Sequence, residues 1–360
     1  MDGRKRGTGA TTLTDVAQLA GVSLATASKA MNGVSQVRAE TRQRVLDAAA
    51  TLSFTPNPFA KALNSATTGT IGMLTQDLDN RFVLPVLLGA EDAFGAGSTS
   101  VLLADARSDS IRERHQLGML LAKRVDGLLV VGRTTNPRAS LTAGLKVPVV
   151  YVYAPSDDPA DLSFTPDNFD AGRQAVDHLL SRGRRRIAFI NGDPSYSAAQ
   201  DRVAGATSRL AEEGLSLVGG ADLFGPWGER WGRRCTESLV ESGVQFDALL
   251  CGSDQLARGA LDQLRESRRS VPDDVAVMGF DNWDLLAEEA RPPLTSVEMN
   301  LEQLGRSAAL ELVAAIGGTT ARGVRRGAVR VVPRESTGSW LHTDGGGTSA
   351  DTGTRETGTS

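Results

Sequence analysis

The chain is poor in the residues that most directly announce chemistry. Two cysteines occur in 360 residues, Cys235 and Cys251. They allow one bridge at most, and free thiols in a reducing compartment are the expectation. The three histidines, His115, His178 and His342, lack metal-ligand spacing, so no metal is expected and surface or helix positions are their default. No apolar run approaches the ~20 residues of a membrane span. The opening MDGRKRGTGATT has no apolar signal core, so a cytoplasmic protein without membrane contact is expected. A P-loop, a Gly-x-Ser-x-Gly elbow and a Gly-x-Gly-x-x-Gly after a strand are all missing, and no acidic residue is paired with a nucleophile. Neither an enzyme nor a cofactor is expected.

Charge is near balance overall, at −4, but unevenly placed. Residues 1–65 hold eight Lys/Arg against four Asp/Glu, a net +4 that leaves −8 for the remainder. A small basic end on an acidic body suits nucleic-acid contact by that end alone. Within it, Thr12 to Gly33 reads TLTDVAQLAGVSLATASKAMNG. Thr12 and Asp15 form a capping-box-like start, Val16, Leu19 and Ala20 repeat at helical spacing, and Gly21 supplies a left-handed stop. Ser23 caps a second helix to about Met31, ended by Asn32-Gly33. Two short helices joined by Ala-Gly-Val-Ser make a helix-turn-helix pattern.

On the second helix Leu24, Ala25, Ser28 and Lys29 share an arc of about 140°. Ala27, Ala30 and Met31 lie opposite and can pack inward. Such a helix fits the DNA major groove; a helical hairpin in another core is the plainer reading of this stretch alone. Val45, Leu46, Ala49 and Leu52 mark a third helix over 39–52, poorly capped because Arg38 precedes it. Asn57 then caps, and Pro58 opens, a helix of about two turns, too short to stand alone in water. A Pro-stiffened linker is the plainer alternative.

From Thr70 short apolar runs alternate with helical segments. The runs are 71–74, 100–104, 127–131, 147–153, 186–190, 248–251 and 275–280. The helices are expected over 82–94, 111–123, 169–182, 198–213, 229–241 and 254–266. Continuous apolar strands alternating with helices predict parallel sheets covered by helices, in two lobes broken near Thr165–Asn168. Ligands of such sheets bind at strand carboxyl ends, here Asp77 to Phe82, Gly132-Arg133, Asn191 to Asp193, Ser253-Asp254 and Asp281-Asn282. Taken singly, most of these polar residues could equally be turn and cap formers. Residues 341–360 are low in complexity and expected to be disordered.

TLTDVAQLAGVS, ATASKAMNG, ETRQRVLDAAATL and PNPFAKAL, in this order, resemble the lactose/galactose-repressor (LacI/GalR-type) family of transcription regulators, and the resemblance extends over roughly residues 12 to 340. It implies an all-α helix-turn-helix DNA-binding domain with a hinge helix, followed by an α/β, two-lobed, periplasmic-binding-protein-like sensor. The implied division is a mobile arm at 1–11, the DNA-binding domain at 12–56 and the hinge helix and linker at 57–69. The sensor and dimerisation domain follows at 70–340, with lobe 1 at 70–166 and 297–326 and lobe 2 at 167–296 and 327–340. It implies a homodimer on a pseudo-palindromic operator; residues 341–360 show no leucine heptads, which argues against the tetramerising tail some members carry. Leu24, Ala25 and Lys29 would face bases, with Ser28 on the same arc. Ser23, Thr26 and Lys61 would touch phosphates, as would Arg42. Asn57 would start the hinge helix, Leu63 would wedge into the minor groove, and Ala60 lies one turn earlier.

DRVAG and GFDNWD match effector-binding motifs, which marks Arg202 and Asp281. Trp227, Asn80, Phe82, Ser253 and Asp254 complete the implied effector set. This chain departs from the pattern by having Ser253 where Asn is frequent and Tyr153 where Asp is frequent. The expectation is a repressor of carbohydrate-utilisation genes controlled by a small sugar or related polar effector. A two-lobed solute-binding protein without a transcriptional role is the alternative, disfavoured by the helix-turn-helix.

Overall fold

The structure, a computed structural model, describes residues 12–31, 37–52, 54, 67–79, 81–95, 99–220 and 223–338. At the amino-terminal end α1 (Leu13–Ala20), α2 (Leu24–Met31) and α3 (Ala39–Thr51) enclose a small core. Asp15 accepts the Thr12 backbone N–H at 2.8 Å, and Thr12 accepts from the Asp15 N–H, so the capping box is closed. Gly21 turns the chain at φ 64°, and the Ser23 hydroxyl accepts the Thr26 N–H at 3.1 Å. Arg38 gives α3 no side-chain cap.

The core is built from small residues: Val16, Ala17, Ala20, Ala27, Ala30, Val45, Ala48 and Ala49 are buried. Leu19 and Leu46, expected inside, are exposed by 54% and 41%. Alanine contacts let three short helices approach closely. The inward arc therefore turns toward Ala17 and Ala48, and the bulkier leucines are left at its edges.

The remainder folds on two sheets. The first has the order β10-β5-β4-β3-β1-β2 and is wholly parallel. Its strands are β1 (Thr70–Thr75), β2 (Ser100–Asp105), β3 (Gly127–Val131), β4 (Val149–Val152), β5 (Leu162–Pro166) and β10 (Gly323–Gly327). The second has the order β11-β9-β8-β7-β6. It comprises β6 (Ile187–Ile190), β7 (Ala248–Cys251), β8 (Ala276–Phe280), β9 (Thr295–Glu298) and β11 (Arg330–Val332), the last antiparallel to β9. All seven apolar runs are strands. β5, β9, β10 and β11 escape that reading. Ser163 and Thr165 interrupt the apolar pattern of β5 but are buried, bonding Ser156 and the Tyr153 carbonyl. β10 reads GVRRG and is an exposed edge.

The covering helices are α4 (Val83–Phe94), α5 (Ser110–Ala122), α6 (Asn168–Ser181), α7 (Ser197–Glu212), α8 (Glu229–Glu241), α9 (Asp254–Glu266), the short α10 (Asp284–Ala287) and α11 (Leu301–Ile316). The chain passes between the sheets after β5, after β9 and after β10. Helix α11, following β9, packs on α4 and the first sheet. A glycine pair lets α6 and α7 cross at backbone contact. A Cβ on Gly205 would lie 1.9 Å from the Phe169 carbonyl oxygen, and one on Gly172 2.1 Å from that of Arg202. Among the described residues no helix is long and apolar enough to cross a membrane.

His178 is buried on α6, not at the surface, with Nε2 2.8 Å from the Thr337 hydroxyl. Both cysteines are buried and unbridged.

Candidate functional site

Two places gather the residues singled out above. The first is the outer face of α2. Leu24 is 51% exposed, Ser23, Ala25 and Lys29 are exposed, and Thr26 and Ser28 are half-buried. Ser23 and Thr26 share a hydroxyl contact of 2.8 Å at the helix start. Ala27 and Ala30 hold the opposite side in the core. The exposed face thus offers one cation, hydroxyls at its start and two apolar groups, at a width an open groove admits. Asn57, Ala60, Lys61 and Leu63 lie outside the described residues, as does Asn80.

The second place is a cavity of about 180 Å³ between the carboxyl ends of the two sheets. From the first lobe it is lined by Arg81 and Phe82 before α4, Arg133, Thr134 and Thr135 after β3, and Tyr153 after β4. The second lobe supplies Tyr196, Ala198 and Arg202 of α7 and its approach, then Trp227, Gln255 and Asp281. Phe82, Arg202, Trp227 and Asp281 are therefore brought together. Ser253 and Asp254 are not. Ser253 is the N-cap of α9, and Asp254 lies one layer behind, accepting from Ser296 at 2.6 Å and from the Trp283 N–H at 2.8 Å. The side chain that reaches the cavity from this turn is Gln255. The turn directs successive side chains differently: Ser253 must face the free N–H groups of its own helix, and Asp254 points under β8.

Arg202 is 3% exposed. Its Nε donates to Asn168 Oδ1 at 2.8 Å, one terminal nitrogen donates to the Gly252 carbonyl at 2.6 Å, and the other to Asp281 Oδ1 at 3.2 Å. Its guanidinium stacks 4.6 Å from the Phe280 ring centroid. All three guanidinium nitrogens are thus engaged, which fixes the group as rigid wall. The glycine crossing of α6 and α7 brings Asn168 within its reach. Asp281 stands at φ 95°, held by the main-chain bond to the Val297 carbonyl, and its second oxygen accepts from Arg81 across the cleft.

The aromatic walls are equally fixed. Phe82 and Tyr153 lie with centroids 5.0 Å apart. Burial pushes the Tyr153 phenol above its ordinary range, with the Asp281 charge acting in the same direction. Trp227 meets Tyr196 edge-on at 5.8 Å and rests on Gly192, where a Cβ would fall 2.2 Å from the indole. Burial is also the main cause that raises the Asp254 carboxyl to about 7, reinforced by the Asp281 charge. At the rim Asn136 spans the lobes, donating to the Ser195 carbonyl at 2.9 Å and accepting from the Ser197 N–H at 2.7 Å. Thr135 and Ser197 add a hydroxyl contact of 2.9 Å.

Arg81, Tyr196 and Gln255 were missed as individual site residues. Arg81 was within reach, since it lies in the post-strand stretch Asp77 to Phe82. Tyr196 and Gln255 carry no local signal. Aromatic surfaces and fixed hydrogen-bonding groups around a small cavity can hold a polar ring compound. Among the described residues no group of His, Cys, Asp and Glu could hold a metal ion.

Two parts of the chain match known families. Residues 12–57 match the family described as bacterial regulatory proteins, lacI family, and residues 176–337 match a periplasmic binding protein-like domain. The HTH-type transcriptional regulator CelR of Thermobifida fusca is 34% identical over 322 residues, covering 87% of this chain and 94% of the relative. Catabolite control protein A of Priestia megaterium is 31% identical, covering 82% and 89%. Among solved structures, the lac repressor dimer bound to operator and the anti-inducer ONPF is 27% identical, with a TM-score of 0.73 over 92% of this chain and all of that one. The CelR–cellobiose complex is 31% identical, with a TM-score of 0.62 over 91% and 99%. This chain belongs to the lacI family of bacterial regulatory proteins and is a DNA-binding regulator of transcription.

Proposed function

We propose that the protein is a cytoplasmic homodimeric repressor of carbohydrate-utilisation genes whose grip on a pseudo-palindromic operator is set by a small polar effector held in the interlobe cavity. The observation that carries this reading is the cavity itself, lined from both lobes so that its ligand can sense their relative placement. The likeness to CelR, solved with cellobiose, supports a sugar-like compound. Leu24, Ala25 and Lys29 read bases. Leu24 and Ala25 cannot make bidentate hydrogen bonds and suit thymine methyls, whereas Lys29 suits guanine O6/N7. Ser23, Ser28 and Thr26 contact the backbone nearby, which positions without specifying. The hinge segment 57–69, with Asn57, Ala60, Lys61 and Leu63, enters the minor groove at the operator centre. Arg202, Asp281, Phe82 and Trp227 bind the effector, with Asn80 beside them.

Dimerisation is supported by exposed apolar side chains on the packed pair α4 and α11. Leu84 and Leu88 lie one turn apart on α4, and Leu310 and Val313 likewise on α11, with exposures from 47% to 59%. A second copy covering them would couple lobe movement to the spacing of the two DNA-binding domains. An effector must favour one spacing over the other to act.

The test is selection of duplex DNA from a random pool, followed by gel shifts with and without candidate sugars. A palindromic site with T and G at the α2 contacts is expected, Lys29→Ala is expected to lose preference at the G, and one class of ligand to change operator affinity. Recovery of no palindrome, or a Lys29→Ala variant with unaltered base preference, would overturn the assignment of α2.

A further inference from the structure

We infer that Arg81 is an interlobe latch, a first-lobe side chain seated in a socket of the second lobe, whose ion pair with Asp281 sets how far the cleft opens. It goes beyond the effector reading of the cavity, because the pair acts on the lobes with or without a ligand.

Arg81 lies between β1 and α4, and Asp281 directly follows β8. The two are 200 positions apart in the chain and meet across the cleft as an ion pair. Arg81 touches the second lobe a second time, with its guanidinium 5.1 Å from the Trp283 ring centroid. Its own lobe supplies the Phe82 ring at 4.5 Å. A planar cation held by one aromatic ring from each lobe, with its charge on a carboxylate, is fixed in position as well as paired. The side chains of Arg81 and Asp281 are 24% and 5% exposed, so salt screens the pair little. The Asn136 bonds and the Thr135–Ser197 contact, which also cross the cleft, join neutral groups.

The socket is held rigidly by the second lobe. Asp281 and Asn282 stand at φ 95° and 48°, a left-handed pair that residues with a Cβ adopt only where their surroundings impose it. Three successive backbone N–H groups impose it here. That of Asp281 donates to the Val297 carbonyl at 2.9 Å, that of Asn282 to the Ser296 hydroxyl at 3.0 Å, and that of Trp283 to Asp254 at 2.8 Å. Arg202 holds Asp281 Oδ1 from behind. The turn therefore presents Oδ2 and the Trp283 indole together to the first lobe, where Arg81 meets both.

The latch is also built to be released. Arg81 Nε is buried and finds no acceptor among the described residues. A buried donor without a partner is a cost to the closed arrangement, and opening the cleft returns that group to water. The pair is moreover a partition. The cavity of about 180 Å³ and a wider chamber of about 670 Å³ share Arg81, Phe82 and Asp281 in their walls. A ligand that draws on Asp281, or that reaches from one chamber into the other, acts directly on the contact that spaces the lobes. That is the unequal interaction with two arrangements which an effector needs.

Small-angle scattering of the full chain, without added ligand, tests this on Arg81→Gln, Arg81→Lys, Asp281→Asn and the double variant Arg81→Gln/Asp281→Asn. Arg81→Gln is expected to enlarge the radius of gyration, and Arg81→Lys, which keeps the charge, to enlarge it less. Asp281→Asn should enlarge it most, because Arg81 and Arg202 then lose the carboxylate they share. The double variant should open no further than Asp281→Asn, since both substitutions break one contact. If Asp281→Asn does not fold, the two Arg81 variants decide alone. An Arg81→Gln profile identical to that of the parent, equal opening by Gln and Lys, or openings that add in the double variant would each overturn the latch. Gel shifts on the selected operator keep it apart from the function proposed above. Arg81→Gln is expected to change ligand-free operator affinity about fivefold or more, the lower end of allosteric couplings. If it opens the cleft and leaves operator affinity unchanged, the latch stands and the control of DNA binding by lobe spacing falls.

Discussion

Asp254 shows how burial sets chemistry at a single residue. Its carboxyl is fully enclosed, and burial pushes it up to about 7 from an ordinary value of 3.8. The folded protein therefore binds a proton that the unfolded chain has released. The stability gained from this is full below pH 3.8 and is lost as pH rises to 7, at about 1.4 kcal/mol per unit within the window. His178 acts in the opposite sense. Burial lowers it to about 4 from 6.5, so its contribution is full above pH 6.5 and is lost as pH falls toward 4. Asp254→Asn keeps an acceptor for the Trp283 N–H and a partner for Ser296 without a titrating proton. Its melting temperature relative to the parent is expected to climb between pH 5 and 7. A constant difference across that range would mean that Asp254 is ionised in the folded state. At this scale the sequence marked Arg202 and Asp281 through their motifs. It could not separate Asp254 from Gln255, because one residue of turn rotation decides which of them faces the cavity.

Among the elements, the crossing of α6 and α7 matters most to the cavity. Arg202 and Gly205 sit one turn apart on α7, and the glycine lets the helix come close enough for Arg202 to reach Asn168. The same arrangement recurs where α4 meets α11 through Gly89 and Gly305, and where α8 meets α9 through Gly232 and Gly259. A methyl group at Gly205 would overlap the Phe169 carbonyl, so the helices must part. Gly205→Ala is expected to cost about 1–3 kcal/mol in chemical denaturation, the usual range for overpacking, and to displace the Arg202 guanidinium. Unchanged stability would show that the crossing tolerates a wider spacing. Strands with continuous apolar runs were legible because they are covered on both faces. β5 and β10 were not, since one hides polar side chains through tertiary hydrogen bonds and the other lies at an edge.

At the level of the whole molecule, the links that cross the cleft among the described residues include the Arg81–Asp281 pair, the Thr135–Ser197 contact and the bonds of Asn136. Asn136 makes two of them, both to residues 195–197. Removing them should shift the population toward an open cleft. Asn136→Ala is expected to enlarge the radius of gyration in small-angle scattering of the ligand-free protein, with little change in melting temperature. A scattering profile identical to that of the parent would show that the clamp does not hold the lobes together.

Local pattern alone specifies the helix-turn-helix, through its caps, its glycine stop and its small inward residues. It also determined the alternation of strands and helices, because both patterns are periodic and local. Packing of the two lobes sets which strand-end residues share a cavity, brings Arg81 to it from the first lobe, and engages both carboxylate oxygens of Asp281. Those outcomes depend on side chains up to 200 positions apart in the chain, and no local pattern encodes the distance between two sheets.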